Sequence, residues 1–364
     1  MLRTPITEER GARVAQVAHT APLTGTARLE GLDAFRLLGA LCVVALHVDS
    51  ANYPLLSTGL SADVRLLCRW AVPYFFMLTG YLIARRGADV ALPGAVARAV
   101  TVALVANLLL LPFDLYWMGA RATLALLADP AVLAVGVQAP MWYLSANVLG
   151  LLLLWAGWSY GARRWLWLPA LGAVLLTALT GAWYPAAGTG FVLARELLGL
   201  AFITFGMMLA RRMPGLAISA LLLLGGAALQ WLESRALSAH WGTAPSSYEF
   251  LLGTLPLSVG VFGLAAALRP GPLLRACGSV GARCSLGVYV LHPYFLNAVH
   301  RQAASREWQG RPIGMLLLLV AFAATLAAVW LLQRLWPRGA GLLAGDPHAW
   351  RRAEGRAQPA RQAD

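Results

Sequence analysis

Runs of about twenty mainly apolar residues, separated by short polar turns, constrain this chain more than any other feature. They fall near 31–53, 64–84, 94–118, 141–160, 165–184, 190–210, 215–234, 249–268, 282–302 and 312–333. An α-helix rises about 1.5 Å per residue, so roughly 20 residues cross the ~30 Å of hydrocarbon in a bilayer. No water is present there to satisfy backbone N–H and C=O groups, so such runs fold as helices. The connections are short apart from the stretches around 119–140 and 235–248, which leaves no room for a separate soluble domain. The expectation is an all-α integral membrane protein of about ten transmembrane helices. One membrane domain covers 29–336, between a polar tail (1–28) and an Arg-rich tail (337–364), both expected to be disordered.

Composition agrees: 59% of the 364 residues are hydrophobic and 12% are charged, against about 25% charged in a water-soluble domain. The net charge of +13 comes from 29 basic and 16 acidic residues, and every basic one is Arg. A basic excess can signal nucleic-acid binding, but these arginines cluster between apolar runs, as in loops facing a cytoplasm. With the N-terminus inside, twenty arginines fall on the cytoplasmic side and seven outside, so both termini are expected in the cytoplasm and no nucleic-acid partner is expected. The first 28 residues lack the pattern of a cleavable signal peptide. Cys42, Cys68, Cys277 and Cys284 show neither metal-ligand spacing nor a disulfide framework, so they read as packing residues and no metal is expected.

The first run, "RLEGLDAFRLLGALCVVALHVDS", carries ionisable groups that hydrocarbon disfavours. A charge at a span's centre costs about 2.5 kcal/mol or more, so its default reading is functional. Arg36 and His47 are 11 positions apart, which at 100° per residue is about 20° beyond three full turns, so they share a face roughly 16 Å apart along the axis. Asp33 lies near the same stripe, three residues before Arg36, and can pair with it. The plainer alternatives are that Arg36 reaches to the cytoplasmic interface and Asp33 caps the helix. His47 has no local partner except Asp49, which points elsewhere.

A second embedded histidine, His292, stands in "RCSLGVYVLHPYF", with Ser285 and Tyr289 on or near its stripe. It could face one cavity with His47, or it could satisfy a backbone carbonyl freed by Pro293. In "VPYFFMLTGYLIARR", Tyr74, Phe75, Phe76, Thr79, Gly80 and Tyr81 suit close packing beside a small pocket. Arg85, Arg86 and Arg98 form a positive cluster at the cytoplasmic mouth, read either as a topological anchor or as an anion site.

In this order, "RLEGLDAFRLLGALCVVALHV", "VPYFFMLTGYLIARR", "MWYLSANVLGLLLL", "ELLGLAFITFGMMLARR" and "CSLGVYVLHPYF" resemble the signature segments of the acyltransferase 3 family, from about residue 28 to 333. These are multispanning bacterial enzymes that move acyl groups, most often acetyl, onto surface sugars. The likeness is nearest to the branch that O-acetylates enterobacterial common antigen and other surface glycans. Arg36, ten residues, then His47 matches the family's first-helix motif, with Asp33 at its usual acidic position. The resemblance implies that His47 is catalytic and Arg36 essential beside it. Thr79 stands where Ser is commoner. Of the family's paired arginines linked to acyl-CoA, only Arg98 is in place, with Arg85 and Arg86 available to supply the missing charge.

The resulting expectation is an O-acetyltransferase in the bacterial inner membrane. Acyl-CoA (acetyl-CoA) is the co-substrate, its anionic end held by Arg36, Arg85, Arg86 and Arg98. The catalytic group is His47, Arg36, Asp33 and His292. His47 acts as general base or as transient acyl carrier. The acceptor, a glycan or lipid-linked sugar, meets Tyr74, Phe76, Thr79, Trp142 and Tyr289. Trp117, Tyr143, Trp241 and Tyr248 add outer aromatic faces that an interfacial belt would equally explain. The rivals are a secondary transporter or flippase using the embedded charges and a membrane scaffold. The first usually shows repeated halves, and no second copy of the Arg36–His47 helix occurs.

Overall fold

The computed structural model describes residues 30–50, 52–55, 58–132, 136–184, 189–268 and 271–346, and among them every regular element is helical. The helices are α1 (Glu30–Val48), α2 (Thr58–Cys68), α3 (Ala71–Arg86), α4 (Ala88–Ala128), α5 (Trp142–Ser159), α6 (Trp167–Ala178), α7 (Thr189–Glu196), α8 (Leu198–Arg211), α9 (Leu216–Trp241), α10 (Thr254–Ala267), α11 (Pro272–Ser305), α12 (Arg311–Leu335) and α13 (Pro337–Leu343). A single π turn, Leu179–Trp183, extends α6. Local chemistry sets several boundaries. Pro272 and Pro312 open α11 and α12, where the missing N–H is no loss and the fixed φ suits the first turn. Gly242 closes α9 in the left-handed region at φ 68°, a conformation that costs a residue without Cβ little.

Each of the ten expected runs lies on one helix or on two abutting helices. By length and apolarity, six segments qualify to cross a membrane: Glu30–Val48, Asp63–Arg86, Ala88–Ala128, Val192–Arg211, Leu216–Trp241 and Arg311–Leu335. The chain is thus a multi-pass membrane protein. In Ala88–Ala128, Leu216–Trp241 and Arg311–Leu335 only 22%, 22% and 28% of the apolar window is covered by protein, against 72% in Val192–Arg211. Three segments therefore face lipid along their length and one is wrapped by its neighbours.

Two helices organise the packing. α1 runs along α11 and also touches α3, α10 and α12, while α8 packs against α3, α5 and α6. Small residues make these approaches possible, as is usual where lipid supplies no hydrophobic drive for helix association. A Cβ at Gly80 would fall inside the Ile203 carbonyl, and one at Gly206 inside that of Met77, so α3 and α8 touch backbone to backbone. Gly281 does the same for α11 on α1, against the carbonyl of Asp33.

The structure corrects three expectations. The stretch around 119–140 is not mainly loop, because α4 resumes after a break at Gly119 (φ 79°, ψ 165°) and continues to Ala128. The connection after α9 is shorter than 235–248, since that helix runs to Trp241. Part of the expected C-terminal tail is an ordered helix, α13, which packs on α4 and α12. The remainder of that tail and residues 1–29 lie outside the described residues. The four cysteines are unbridged, with Cys284 buried and the others half-buried.

Candidate active site

The α1 stripe and the α11 stripe face one another. Arg36 Nε donates to Ser285 Oγ at 3.2 Å and Nη1 to Asp33 Oδ1 at 3.3 Å. Further along the same pair of helices the His47 and His292 rings stack at 5.3 Å between centroids, 27° between planes. Both contacts advance in the same chain direction, so α1 and α11 lie parallel. The half-buried Arg36–Asp33 pair is partly shielded from solvent, at 23% and 17% side-chain exposure, so its role is to aim the guanidinium more than to stabilise the fold.

His292 follows the second of the readings that its sequence allowed, since it meets the freed carbonyl and lines neither of the two cavities beside Tyr289. Pro293 has no N–H and cannot bond the carbonyl four residues back, which is that of Tyr289. His292 Nδ1 lies 2.6 Å from that same oxygen. A proton on Nδ1 satisfies the carbonyl and fixes the tautomer, leaving the Nε2 lone pair free. His292 is fully buried, and its Nε2 has no hydrogen-bond partner among the described residues. The proline thus turns His292 into a fixed wall against which His47 stacks.

Two cavities flank Tyr289, one helical turn before His292. The first, about 280 Å³, is lined by His47, Phe76, Trp142, Arg195, Phe250 and Tyr289 among others. The second, about 520 Å³, is lined by Arg36, Thr79, Arg86, Arg98, Arg283 and Tyr289, with aliphatic walls from α3, α4, α5 and α11. Tyr289 borders both. Its hydroxyl donates to the carbonyl of Pro140, and its ring stands 5.1 Å from Tyr143, which lies 4.5 Å from Phe76. These three rings form an aromatic partition between the cavities.

The expected residues therefore divide. His47, Phe76 and Trp142 face the smaller cavity, Arg36, Thr79, Arg86 and Arg98 face the larger, and Tyr289 faces both. Tyr74 does not line either cavity. It is fully buried, with its hydroxyl donated to the Leu32 carbonyl at 2.7 Å, which makes it a strut between α3 and α1. Arg85 also lies off both linings and turns back to Tyr81 on its own helix at 3.2 Å. Asp33 acts through Arg36. Tyr143 lines the larger cavity, whereas Trp117, Trp241 and Tyr248 line neither.

Sequence reasoning passed over several residues. Arg283 and Ala344 complete the larger cavity; the second arrives with the turn after α13, where Gly345 (φ 78°) sits against Arg98. Arg195, with Glu196 and Glu249, stands beside the smaller cavity. Arg195 bonds Glu249 at 3.3 Å, pairs with Glu196 at 3.6 Å and lies 4.6 Å over Trp142. A charge inside an apolar run was the available signal, and Arg195 carries it as plainly as Arg36 does. Among the described residues no cluster of three or more His, Cys, Asp or Glu is placed to hold a metal ion.

Comparison with known proteins places this architecture. The model of the acyltransferase 3 domain family matches residues 29–334, a span that contains both stripes, the smaller cavity and all of the larger one except Ala344. The chain belongs to this family of membrane acyltransferases. It is also similar to an amino-acid racemase of Enterococcus faecalis, 31% identical over 36% of this chain and 19% of the relative. A serine/alanine racemase of Enterococcus gallinarum is 32% identical over 34% of this chain and 19% of the relative. The chain thus spans about a fifth of the length of these curated relatives. No solved structure matches.

Proposed function

We propose that this protein transfers an acyl group, acetyl in the simplest case, from cytoplasmic acyl-CoA to a hydroxyl of an extracytoplasmic glycan or glycolipid, in the bacterial inner membrane. The observation that carries the reading is the pair of cavities that share Tyr289, with His47 on the smaller and the arginines on the larger. Four guanidinium groups, Arg36, Arg86, Arg98 and Arg283, border the larger cavity, and planar donors of this kind suit the phosphates of CoA. The aliphatic lining beyond them suits the pantetheine arm. The thioester then arrives at Tyr289, across which His47 waits.

At that point the chemistry needs a base for the acceptor hydroxyl. A neutral imidazole opening onto the smaller cavity can take that proton as oxygen attacks the thioester carbonyl, and can return it to the departing CoA thiolate. If His47 attacks first, an acyl-imidazole forms, CoA leaves, and the acceptor oxygen then displaces the imidazole. The stack on His292 holds the ring in one orientation for either course. Arg36 is held at its height by Asp33 and Ser285, where it meets the donor. The racemase activity of the two relatives is not carried over, since the shared stretch is about a fifth of each.

Topology supports opposite faces for the two substrates. Parallel neighbours in a bilayer are separated in sequence by an odd number of crossings, and α1 and α11 are parallel. The long spans between them number four, so if α11 crosses as α1 does, the reading calls for an odd number of the shorter helices α5, α6 and α10 to cross as well. All three crossing gives ten spans, with both termini on the side where the arginines gather. Mass analysis of surface glycans and lipids tests the activity, in cells making the wild type or His47→Ala. The expected result is an acyl-bearing species present only with the wild type. Unmodified but relocated solute would instead mark a transporter.

A further inference from the structure

The smaller cavity carries more positive charge than a base and a neutral sugar require. Arg65 and Arg69 both line it. They stand four residues apart at the end of α2, and side chains at that spacing fall on the same helix face. Two like charges side by side in a low-dielectric recess repel. Arg195, on the same lining, is answered by Glu196 and Glu249. The α2 pair is answered less, by the same Glu249, which lines this cavity and also attracts Arg69. Arg65 gives Nη1 to the Asp49 main-chain carbonyl at 2.7 Å, while the Asp49 carboxylate receives the Leu55 N–H at 2.9 Å. Nearby Asp63 is paired with Arg235 at 3.0 Å. The buried Nε atoms of both Arg65 and Arg69 have no hydrogen-bond partner among the described residues. A guanidinium pair with donors to spare, opening into the cavity that holds His47, is a receptor for an anion.

The same cavity presents Phe76, Trp142, Phe202, Phe250 and Tyr289, faces suited to the C–H side of a sugar ring. At about 280 Å³ it stands at the small end of ligand pockets, so it takes one sugar unit with its substituent and not an oligosaccharide. We propose that the acceptor is an anionic sugar unit whose carboxylate or phosphate is held by Arg65 and Arg69, which turns its free hydroxyl toward His47. This rests on reading the smaller cavity as the acceptor site. It narrows the acceptor from any hydroxyl-bearing glycan to one bearing a negative charge next to the acylated unit.

The test is a calorimetric titration of the full chain in lipid nanodiscs with glucose, glucuronate and glucose 6-phosphate. Coenzyme A is kept saturating, so that the arginines of the larger cavity are occupied. The wild type is expected to bind at least one charged sugar about tenfold more tightly than glucose. Whether glucuronate or glucose 6-phosphate leads separates a uronic-acid unit from a phosphorylated one. Arg69→Gln, and independently Arg65→Gln should the first not fold, is expected to erase that preference while leaving glucose and coenzyme A binding unchanged. Equal binding of all three sugars, no measurable binding of either charged sugar, or a preference that survives both substitutions would overturn the proposal. A variant that loses coenzyme A instead would assign the pair to the donor, and overturns it equally. Loss of acyl transfer in His47→Ala is a separate readout, so failure of this subsite and failure of the acyltransferase reading are told apart.

Discussion

The larger cavity is shaped for one end of a long molecule, and the smaller for a compact one. Around the larger, arginines from α1, α3, α4 and α11 converge on one mouth and the walls between them are aliphatic. Around the smaller, aromatic rings alternate with charges, one of them answered twice by carboxylates. Among the described residues, Tyr289 is the one that lines both. On the proposed function, this difference keeps donor and acceptor apart and lets them meet at a single ring. An embedded arginine and an embedded histidine on one helix then stop being an anomaly. Each belongs to a different cavity, and α1 is the rod that sets the distance between them.

Substitutions that act on one cavity alone sharpen the contrast. His47→Ala is expected to lower acyl transfer about a hundredfold or more, the scale of a lost general base, with coenzyme A affinity unchanged. Retained transfer would remove the smaller cavity from the chemistry. Arg36→Ala is expected to weaken coenzyme A binding by about tenfold or more, the scale of a lost charge-assisted hydrogen bond, and Arg36→Lys to restore it only in part because lysine lacks the planar fork. An unchanged affinity would reduce Arg36 to a partner of Asp33 and Ser285.

Tyr289→Leu breaks the partition itself. It is expected to change transfer only severalfold while raising hydrolysis of acyl-CoA in the absence of acceptor, because water then crosses between the cavities. Hydrolysis equal to that of the wild type would mean that the ring is packing and no barrier. The smallest effect belongs to Arg85→Ala. Coenzyme A affinity should stay within about twofold of the wild type, since Arg85 bonds Tyr81 and does not line the cavity; surface changes of this kind rarely cost more than about 0.5 kcal/mol. A loss comparable to that of Arg98→Ala would show that the two mouth arginines act together.

The helical membrane class and the Arg36–His47 stripe were legible because both depend on periodicity along one segment. An apolar run twenty residues long has few other ways to fold, and residues on one helix face announce themselves by spacing. What depends on which segments touch was not legible. Tyr74 and Tyr289 sit in equally apolar company in the chain, yet one is a strut tied to Leu32 and the other the partition. Arg85 and Arg86 are adjacent, and the roughly 100° between them on the helix decides that only the second reaches the cavity. The helix that resumes after Gly119 is made of good helix formers, but at nine residues to Ala128 it is too short to stand out as a membrane run. Arg195 was visible as a charge within a span, but nothing in its own segment showed that Glu249, 54 residues away, would meet it.

Separation of donor and acceptor across the membrane is the central claim, and labelled acetyl-CoA added outside sealed vesicles tests it most directly. On the proposed orientation the cavity of Arg36, Arg86, Arg98 and Arg283 faces the bath in inside-out vesicles, so label is expected to accumulate on acceptor enclosed in the lumen. In right-side-out vesicles that cavity faces inward and the charged donor cannot cross hydrocarbon, so no label is expected. Equal labelling in both orientations, with the vesicles shown to be sealed, would place donor and acceptor on one face and contradict the account.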